Sequence, residues 1–128
     1  MKAFLIDPKA QRITEVEYDG DYRSIYKSLD CVRFDVVEIN AEKDCVFIDD
    51  EGLMSEDAYF FGVQGFPNPL AGKGLVLGTD DEGDSIEPTI GMEDLLDIVS
   101  FGVLMKMSDR IVFVNEPARV FKDMDGDV

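Results

Sequence analysis

The chain has 128 residues, with 28 acidic side chains, 12 basic ones and no histidine, for a net charge of −16. Its 45% hydrophobic content excludes a disordered acidic chain, and its length fits one domain. The absence of histidine excludes Ser-His and Cys-His nucleophile pairs and histidine metal sites, and nothing singles out a carboxylate pair for acid–base work. We therefore expect a single domain over residues 1–128 that is not an enzyme, holds no metal or cofactor, and ends in a frayed acidic tail at about 123–128.

The negative charge is unevenly distributed along the chain. Residues 44–105 contain fourteen of the 28 acidic side chains and a single cation, Lys73, for a local charge of −13. Salt adaptation is an alternative explanation of the acidity, and the near balance of residues 1–43, with nine acids and seven bases, argues only mildly against it. A segregated negative charge accelerates association with basic partners and repels nucleic acid. The sequence therefore predicts a protein partner with a basic surface and no binding of free nucleic acid.

Neither a membrane segment nor a disulfide framework is visible. No apolar run is long enough to cross a bilayer, and the start of the chain, MKAFLIDP, lacks the apolar region of a signal peptide. Cys31 and Cys45 form no C-x-x-C pair and are predicted to be reduced thiols at core or half-core positions. These features indicate a cytoplasmic protein with no membrane contact.

Two hairpins are predicted in the first half of the chain. Residues 2–6 and 12–18 are β-rich and are separated by the turn residues 7–11. Residues 34–39 and 45–49 form a second apolar pair around a polar connection. Further strands are predicted at 59–63, 75–78 and 110–114, with an irregular loop at 65–74.

Two helices are predicted from apolar positions spaced three and four residues apart. The first lies near 21–30, with Asp19 or Asp21 as its N-cap. The second lies near 89–100, follows Pro88 and is capped by Thr89, and its apolar face includes Val99 and Val103. The predicted fold class is α+β: a mostly antiparallel sheet built from hairpins, with both helices packed on one face.

The sequence Asp-Asp-Glu-Gly occurs twice, at residues 49–52 and 80–83. Both copies follow an apolar strand, and their composition is typical of strand-ending turns. Asp80, Glu82 and Asp84 alternate as in a calcium loop, but Ser85 and Gly91 stand where that loop needs glycine and glutamate. We therefore predict a partner-binding role, and no metal site, for the acidic side chains of both turns: Asp49, Asp50, Glu51, Asp80, Asp81, Glu82 and Asp84.

A possible ligand site is the segment Gly72-Lys73-Gly74. It is not a Walker loop, because Gly74 follows the lysine where serine or threonine is required, and its glycine spacing does not fit a dinucleotide motif. The backbone N–H groups of Gly72 and Gly74, together with Lys73, still offer contacts to a small anion such as a nucleotide. A solvated turn lysine is the plainer interpretation.

Several motifs occur in a recognisable order: Ala3-Phe4-Leu5-Ile6-Asp7-Pro8, Val46-Phe47-Ile48-Asp49-Asp50, Pro69-Leu70-Ala71-Gly72 and Leu75-Val76-Leu77-Gly78. Over roughly residues 1–84 the chain resembles a family of small uncharacterised proteins of phages and mobile elements, catalogued as a domain of unknown function. The resemblance implies an accessory protein in the bacterial host cytoplasm and transfers no site residue.

Three function hypotheses follow from these observations. The first is an accessory protein whose acidic surface binds a host protein, for example by imitating the charge of DNA against a host defence factor. The second is a binding or sequestering protein for a small anion, and the third is a structural partner of phage proteins. The charge of −13 over residues 44–105 favours the first hypothesis, because it repels a nucleotide.

Folding is expected to need neither metal nor disulfide, because the apolar content suffices for a core. Thermal melts in chelator and in reductant should therefore coincide with the untreated melt. A loss of roughly 10 °C or more in either condition, well beyond a 1 kcal/mol effect for this size, contradicts the prediction.

Overall fold

The computed structural model describes residues 1–51, 59–107 and 110–117, with side chains through residue 102. In these residues the chain forms ten strands and two helices, in the order β1 (Lys2–Asp7), β2 (Arg12–Glu17), α1 (Arg23–Leu29), β3 (Phe34–Glu38), β4 (Cys45–Asp49), β5 (Phe60–Val63), β6 (Leu70–Ala71), β7 (Gly74–Thr79), β8 (Ser85–Ile86), α2 (Met92–Ile98), β9 (Val99–Met107) and β10 (Arg110–Pro117). The predicted tail at 123–128 lies outside the described residues.

The strands form two sheets in which every described pairing is antiparallel. The central sheet has six strands in the order β2-β1-β7-β4-β3, with β8 paired to β7, and the second has the order β10-β9-β5-β6. Strand β7 lies between β1 and β4, where Val76 pairs with both Phe4 and Val46. Because β7 is covered on both faces, its sequence is a continuous apolar run rather than an alternating one.

The central sheet is apolar on both faces. Ala3, Leu75 and Leu77 form one cluster with Ile25 and Leu29 of α1. The opposite face packs against the second sheet and against α2, through a cluster that includes Phe4, Val46, Val76, Phe61, Phe101, Leu95 and Leu96. Each face of an apolar sheet has to be shielded from water.

The α+β fold with antiparallel hairpins and two helices is confirmed, but the helices lie on opposite faces of the central sheet. The prediction that both pack on one face is wrong, since it assumed a single sheet with one buried side. Neither helix of the described residues is long and apolar enough to cross a bilayer.

Helix α1 begins later than predicted. Tyr22 occupies the N-cap position and makes no side-chain cap bond, so the prediction of Asp19 or Asp21 as N-cap is wrong. The two aspartates instead brace the turn before the helix: Asp21 accepts a 3.0 Å hydrogen bond from the Arg23 N–H, and Asp19 accepts one of 2.7 Å from the Ser24 hydroxyl.

Helix α2 is shorter at both ends than predicted. Gly91, not Thr89, is its N-cap, and Val99 and Val103 belong to β9. The apolar positions of residues 92–103 are therefore divided between a helix and a strand. Helix α2 buries Leu95 and Leu96, and β9 buries Val99 and Phe101. Strand β6, inside the predicted loop 65–74, pairs with β5 and was not predicted.

Among the described side chains, Asp44 is the one charged or polar residue that is fully buried. Its carboxylate accepts 2.8 Å hydrogen bonds from the Asn40 side-chain amide and from the backbone N–H groups of Thr89 and Ile90. These bonds connect the β3–β4 turn to the segment before α2 and hold that segment out of the helix. They also compensate the loss of hydration that burial imposes on a carboxylate.

Gly78 of β7 lies beside this carboxylate. A Cβ atom at this position would lie 2.6 Å from the Glu87 carbonyl oxygen and 3.3 Å from Asp44 Oδ1. Only glycine lets the backbone approach this closely, so the segment after β8 is seated directly on the central strand.

Replacing Asp44 with Asn should lower the free energy of unfolding by about 2 to 4 kcal/mol, because an amide NH₂ would face backbone N–H donors that have no other acceptor. Urea unfolding measures the effect, with Asp84→Asn at an exposed position as the matched control. A loss below about 0.5 kcal/mol for Asp44→Asn, in the range of ordinary surface substitutions, contradicts this role.

Candidate functional site

The turn between β7 and β8, residues 80–84, presents a fixed group of carboxylates. Asp80 Oδ1 accepts 2.9 Å hydrogen bonds from the N–H groups of Glu82 and Asp84, and Gly83 adopts a φ of +87°. The Asp80 side chain is therefore occupied within the turn. The side chains of Asp81, Glu82 and Asp84 are exposed.

Cations are absent from the sequence around this turn. The sequence from residue 74 to residue 102 contains neither lysine nor arginine. No ion pair of the described residues involves Asp81, Glu82 or Asp84. The 80–84 turn thus presents three exposed carboxylates on an ordered backbone, and none of them makes an ion pair within the described residues.

The second acidic turn, residues 49–51, is partly neutralised. The Arg33 guanidinium Nη2 lies 3.2 Å from Glu51 Oε1, and its Nε lies 3.9 Å from Asp50 Oδ2. Asp49 Oδ1 accepts a 2.9 Å hydrogen bond from the Glu51 N–H, which orders this turn. Gly52, the fourth residue of the repeated tetrapeptide, lies outside the described residues.

The two acidic turns lie at opposite ends of the central sheet. Ile48 of β4 pairs with Gly74 at the start of β7, whereas the 80–84 turn follows the end of β7. The six residues of β7 separate the turns by about 20 Å at roughly 3.3 Å per residue. The residues predicted to bind a partner therefore form two separate groups.

Both glycines of the predicted anion site have structural explanations. A Cβ atom on Gly74 would lie 2.7 Å from Phe61 Cζ and from Val46 Cγ2, so glycine is needed where the two sheets meet. Gly72 has a φ of +81°, and its N–H donates a 2.8 Å hydrogen bond to the Tyr59 carbonyl. Lys73 is half-buried between them. The anion site itself stays a prediction.

The sheet brings further cations to the end where Lys73 lies, which sequence reasoning missed. Because Ile6 pairs with Gly74, the β1–β2 turn with Lys9 and Arg12 is located at this end. Lys9 Nζ lies 5.9 Å from the centre of the Tyr59 ring. The sequence predicted the β1–β2 hairpin and therefore its turn. It did not predict the pairing of β1 with β7, which places that turn beside Lys73.

A cavity of about 590 Å³ opens between the end of α1 and the 49–51 turn. We call it the Tyr26 cavity; it is lined by Tyr26, Lys27, Asp30, Cys31, Val32, Asp49 and Glu51. Burial raises the pKa of the Cys31 thiol, and the negative charges of Asp49 and Asp30 raise it further. Sequence reasoning missed this cavity, although it named Asp49 and Glu51.

Removing the charge of Asp49 should lower the pKa of Cys31 and speed its reaction with a disulfide reagent, because the thiolate is the reacting form. The pH–rate profile of labelling, measured in a Cys45→Ala background, tests this with Asp49→Asn. The profile should move to lower pH, while that of the Asp81→Asn control stays in place. Coincident profiles for Asp49→Asn and the parent contradict the proposed charge effect.

Comparisons with known proteins show a relationship but no established activity. Residues 1–99 match the family described as "Domain of unknown function (DUF3846)". The "Uncharacterized protein y4iR" of Sinorhizobium fredii (strain NBRC 101917 / NGR234) is 29% identical over 94 residues, which cover 72% of this chain and 58% of that protein. The chain thus spans less than two thirds of the relative's length, and no solved structure matches it. The chain belongs to the DUF3846 family of unknown function.

Proposed function

We propose that this protein is a non-enzymatic accessory protein whose acidic surface binds a partner protein with a basic surface. The observation that carries the proposal is the 80–84 turn, where Asp81, Glu82 and Asp84 are exposed and have no ion-pair partner in the described part of the chain. Unpaired surface charge of one sign steers an oppositely charged protein during encounter.

The order of this turn adds to the proposal. Asp80 holds the N–H groups of Glu82 and Asp84, and the Asp80 N–H donates a 2.9 Å hydrogen bond to the Asp84 carbonyl. The backbone carrying the three carboxylates is thereby fixed before binding, so little loop entropy is lost on association.

A nucleic-acid-binding protein is a suitable partner. Its basic surface normally meets a row of phosphates, and closely spaced carboxylates offer the same sign of charge without base-specific contacts. Imitation of DNA against a host defence factor fits this chemistry. The phage or mobile-element setting and the bacterial cytoplasm stay predictions that belong to the same proposal.

The 49–51 turn contributes less long-range attraction than the 80–84 turn. Arg33 already contacts two of its three carboxylates, so part of the negative charge is cancelled within the protein. An exposed ion pair of this kind contributes little to the free energy of unfolding, but it weakens the negative electrostatic potential that a partner meets at this turn.

A second candidate function is the binding of a small anion beside Lys73. The proximity of the β1–β2 turn favours it, because Lys9 and Arg12 reach the same end of the sheet. Two carboxylates oppose anion binding at this position. Ile6 and Ile48 both pair with Gly74, so the residues that follow them, Asp7 and Asp49, lie on either side of the start of β7.

Three charge-removing variants distinguish these functions. In the first, the 80–84 turn loses three charges through Asp81→Asn, Glu82→Gln and Asp84→Asn. Matched to it, the 49–51 turn loses three through Asp49→Asn, Asp50→Asn and Glu51→Gln, and a third variant is Lys73→Gln. The partner isolated from host lysate on the immobilised protein is then purified for stopped-flow association at several salt concentrations.

The first variant should slow association on the order of tenfold at low salt and flatten its salt dependence, and the matched variant should have a smaller effect. Lys73→Gln should leave association unchanged or slightly faster. If partner capture survives the first variant and is abolished by Lys73→Gln, the small-anion function replaces the one proposed.

A further inference from the structure

We propose that the Tyr26 cavity binds an arginine side chain of the partner. The inference rests on the proposed function and adds to it the chemistry of a short-range contact. The cavity volume of about 590 Å³ falls within the range of about 300 to 1,000 Å³ that is usual for ligand sites.

The charges that line the cavity suit a cation. Asp30, Asp49 and Glu51 contribute three negative charges, and Lys27 contributes one positive charge. With Arg33 paired to Glu51, the lining still carries a net negative charge, which favours a cation over an anion in the Tyr26 cavity.

Apolar surface in the same cavity favours guanidinium over ammonium. Tyr26 is half-buried, with its ring 4.9 Å from the ring of Phe34, and Val32 is 75% exposed at the rim. Guanidinium is planar and weakly hydrated, stacks on aromatic rings and binds carboxylates through two N–H groups. An ammonium group is more strongly hydrated and cannot stack on an aromatic ring as the planar guanidinium does.

One carboxylate of the cavity lining already binds a guanidinium of this chain. The Nη2 atom of Arg33 donates a 3.2 Å hydrogen bond to Glu51 Oε1. Asp49 makes no ion pair in the described part of the chain, and its charge reaches the cavity, where it helps to raise the pKa of Cys31. Asp49 and Asp30, which also lines the cavity and makes no ion pair in the described residues, are thus the carboxylates available to an incoming guanidinium.

Other occupants fit less well. A small anion is repelled by the three carboxylates, and a second copy of this chain carries the same charge of −16. A partner strand could also pair with the open edge of β3. Because the Ile39 N–H bonds to Asp44 across the hairpin, and N–H groups alternate in direction along a strand, the Val36 N–H points to the open edge. The Asp35 carboxylate accepts a 3.0 Å hydrogen bond from this N–H, which hinders pairing with a partner strand.

The probe for this site is N-acetyl-arginine amide, with N-acetyl-lysine amide as its matched control, titrated into the whole protein and followed by amide chemical shifts. The arginine compound should shift residues 26–33 and 49–51 in a saturable manner and leave 80–84 nearly unchanged. The lysine compound should bind at least several-fold more weakly.

Asp49→Asn, which preserves side-chain size, and Tyr26→Leu should each weaken arginine binding several-fold, whereas Asp81→Asn should not. Dispersed native spectra verify that each variant is folded.

Equal binding of both compounds, shifts centred on 80–84, or no saturable shift overturns the inference. If the inference fails while the 80–84 variant still slows partner association, the proposed function stands; if no acidic variant affects the partner, the proposed function fails separately.

Discussion

The buried carboxylate of Asp44 is the interaction on which the arrangement of this domain depends. It accepts N–H groups from Asn40, Thr89 and Ile90, and so joins the β3–β4 turn to a segment about 45 residues later. Gly78 lets that segment lie against the central strand. From this point α2 places Leu95 and Leu96 in the core between the two sheets. Loss of the donors would leave a buried charge uncompensated, which is among the costlier changes in a small domain.

The sheet order also sets how charge is presented to a partner. One end of β7 leads into the 80–84 turn, whose three exposed carboxylates make no ion pair within the described residues. The other end has mixed charge, with Lys73, the cations of the β1–β2 turn and the Arg33-paired turn 49–51. Long-range attraction and a directional short-range contact can therefore belong to two ends of one sheet, about 20 Å apart.

Local patterns predicted much of the fold. Both hairpins and the first helix follow from turn residues and apolar spacing within a few positions of each other. The start of α2 was mispredicted because the bonds of Thr89 and Ile90 to Asp44 connect distant parts of the chain, and its end because Val99 begins β9. That both faces of the central sheet are covered was also not predicted. The apolar sequence at residues 75–77 indicates a buried strand, but it does not indicate which elements pack on each face.

The candidate site was predicted as a set of residues but not as an arrangement. Nothing near Asp49 or Asp80 in sequence indicates that β4 and β7 run antiparallel, and this pairing separates the two turns. The Tyr26 cavity joins the end of α1 to the end of β4, so its lining comes from segments about 20 residues apart.

Carboxylate labelling measures whether the exposed carboxylates of the 80–84 turn contact the partner. Carbodiimide coupling of an amine, read by mass spectrometry in the free protein and in the partner complex, reports the access of each acidic side chain. Asp81, Glu82 and Asp84 should be protected in the complex, with Glu15 and Glu17 on the edge strand β2 labelled equally in both states. Equal labelling of the 80–84 turn in free and bound protein would show that this turn does not contact the partner.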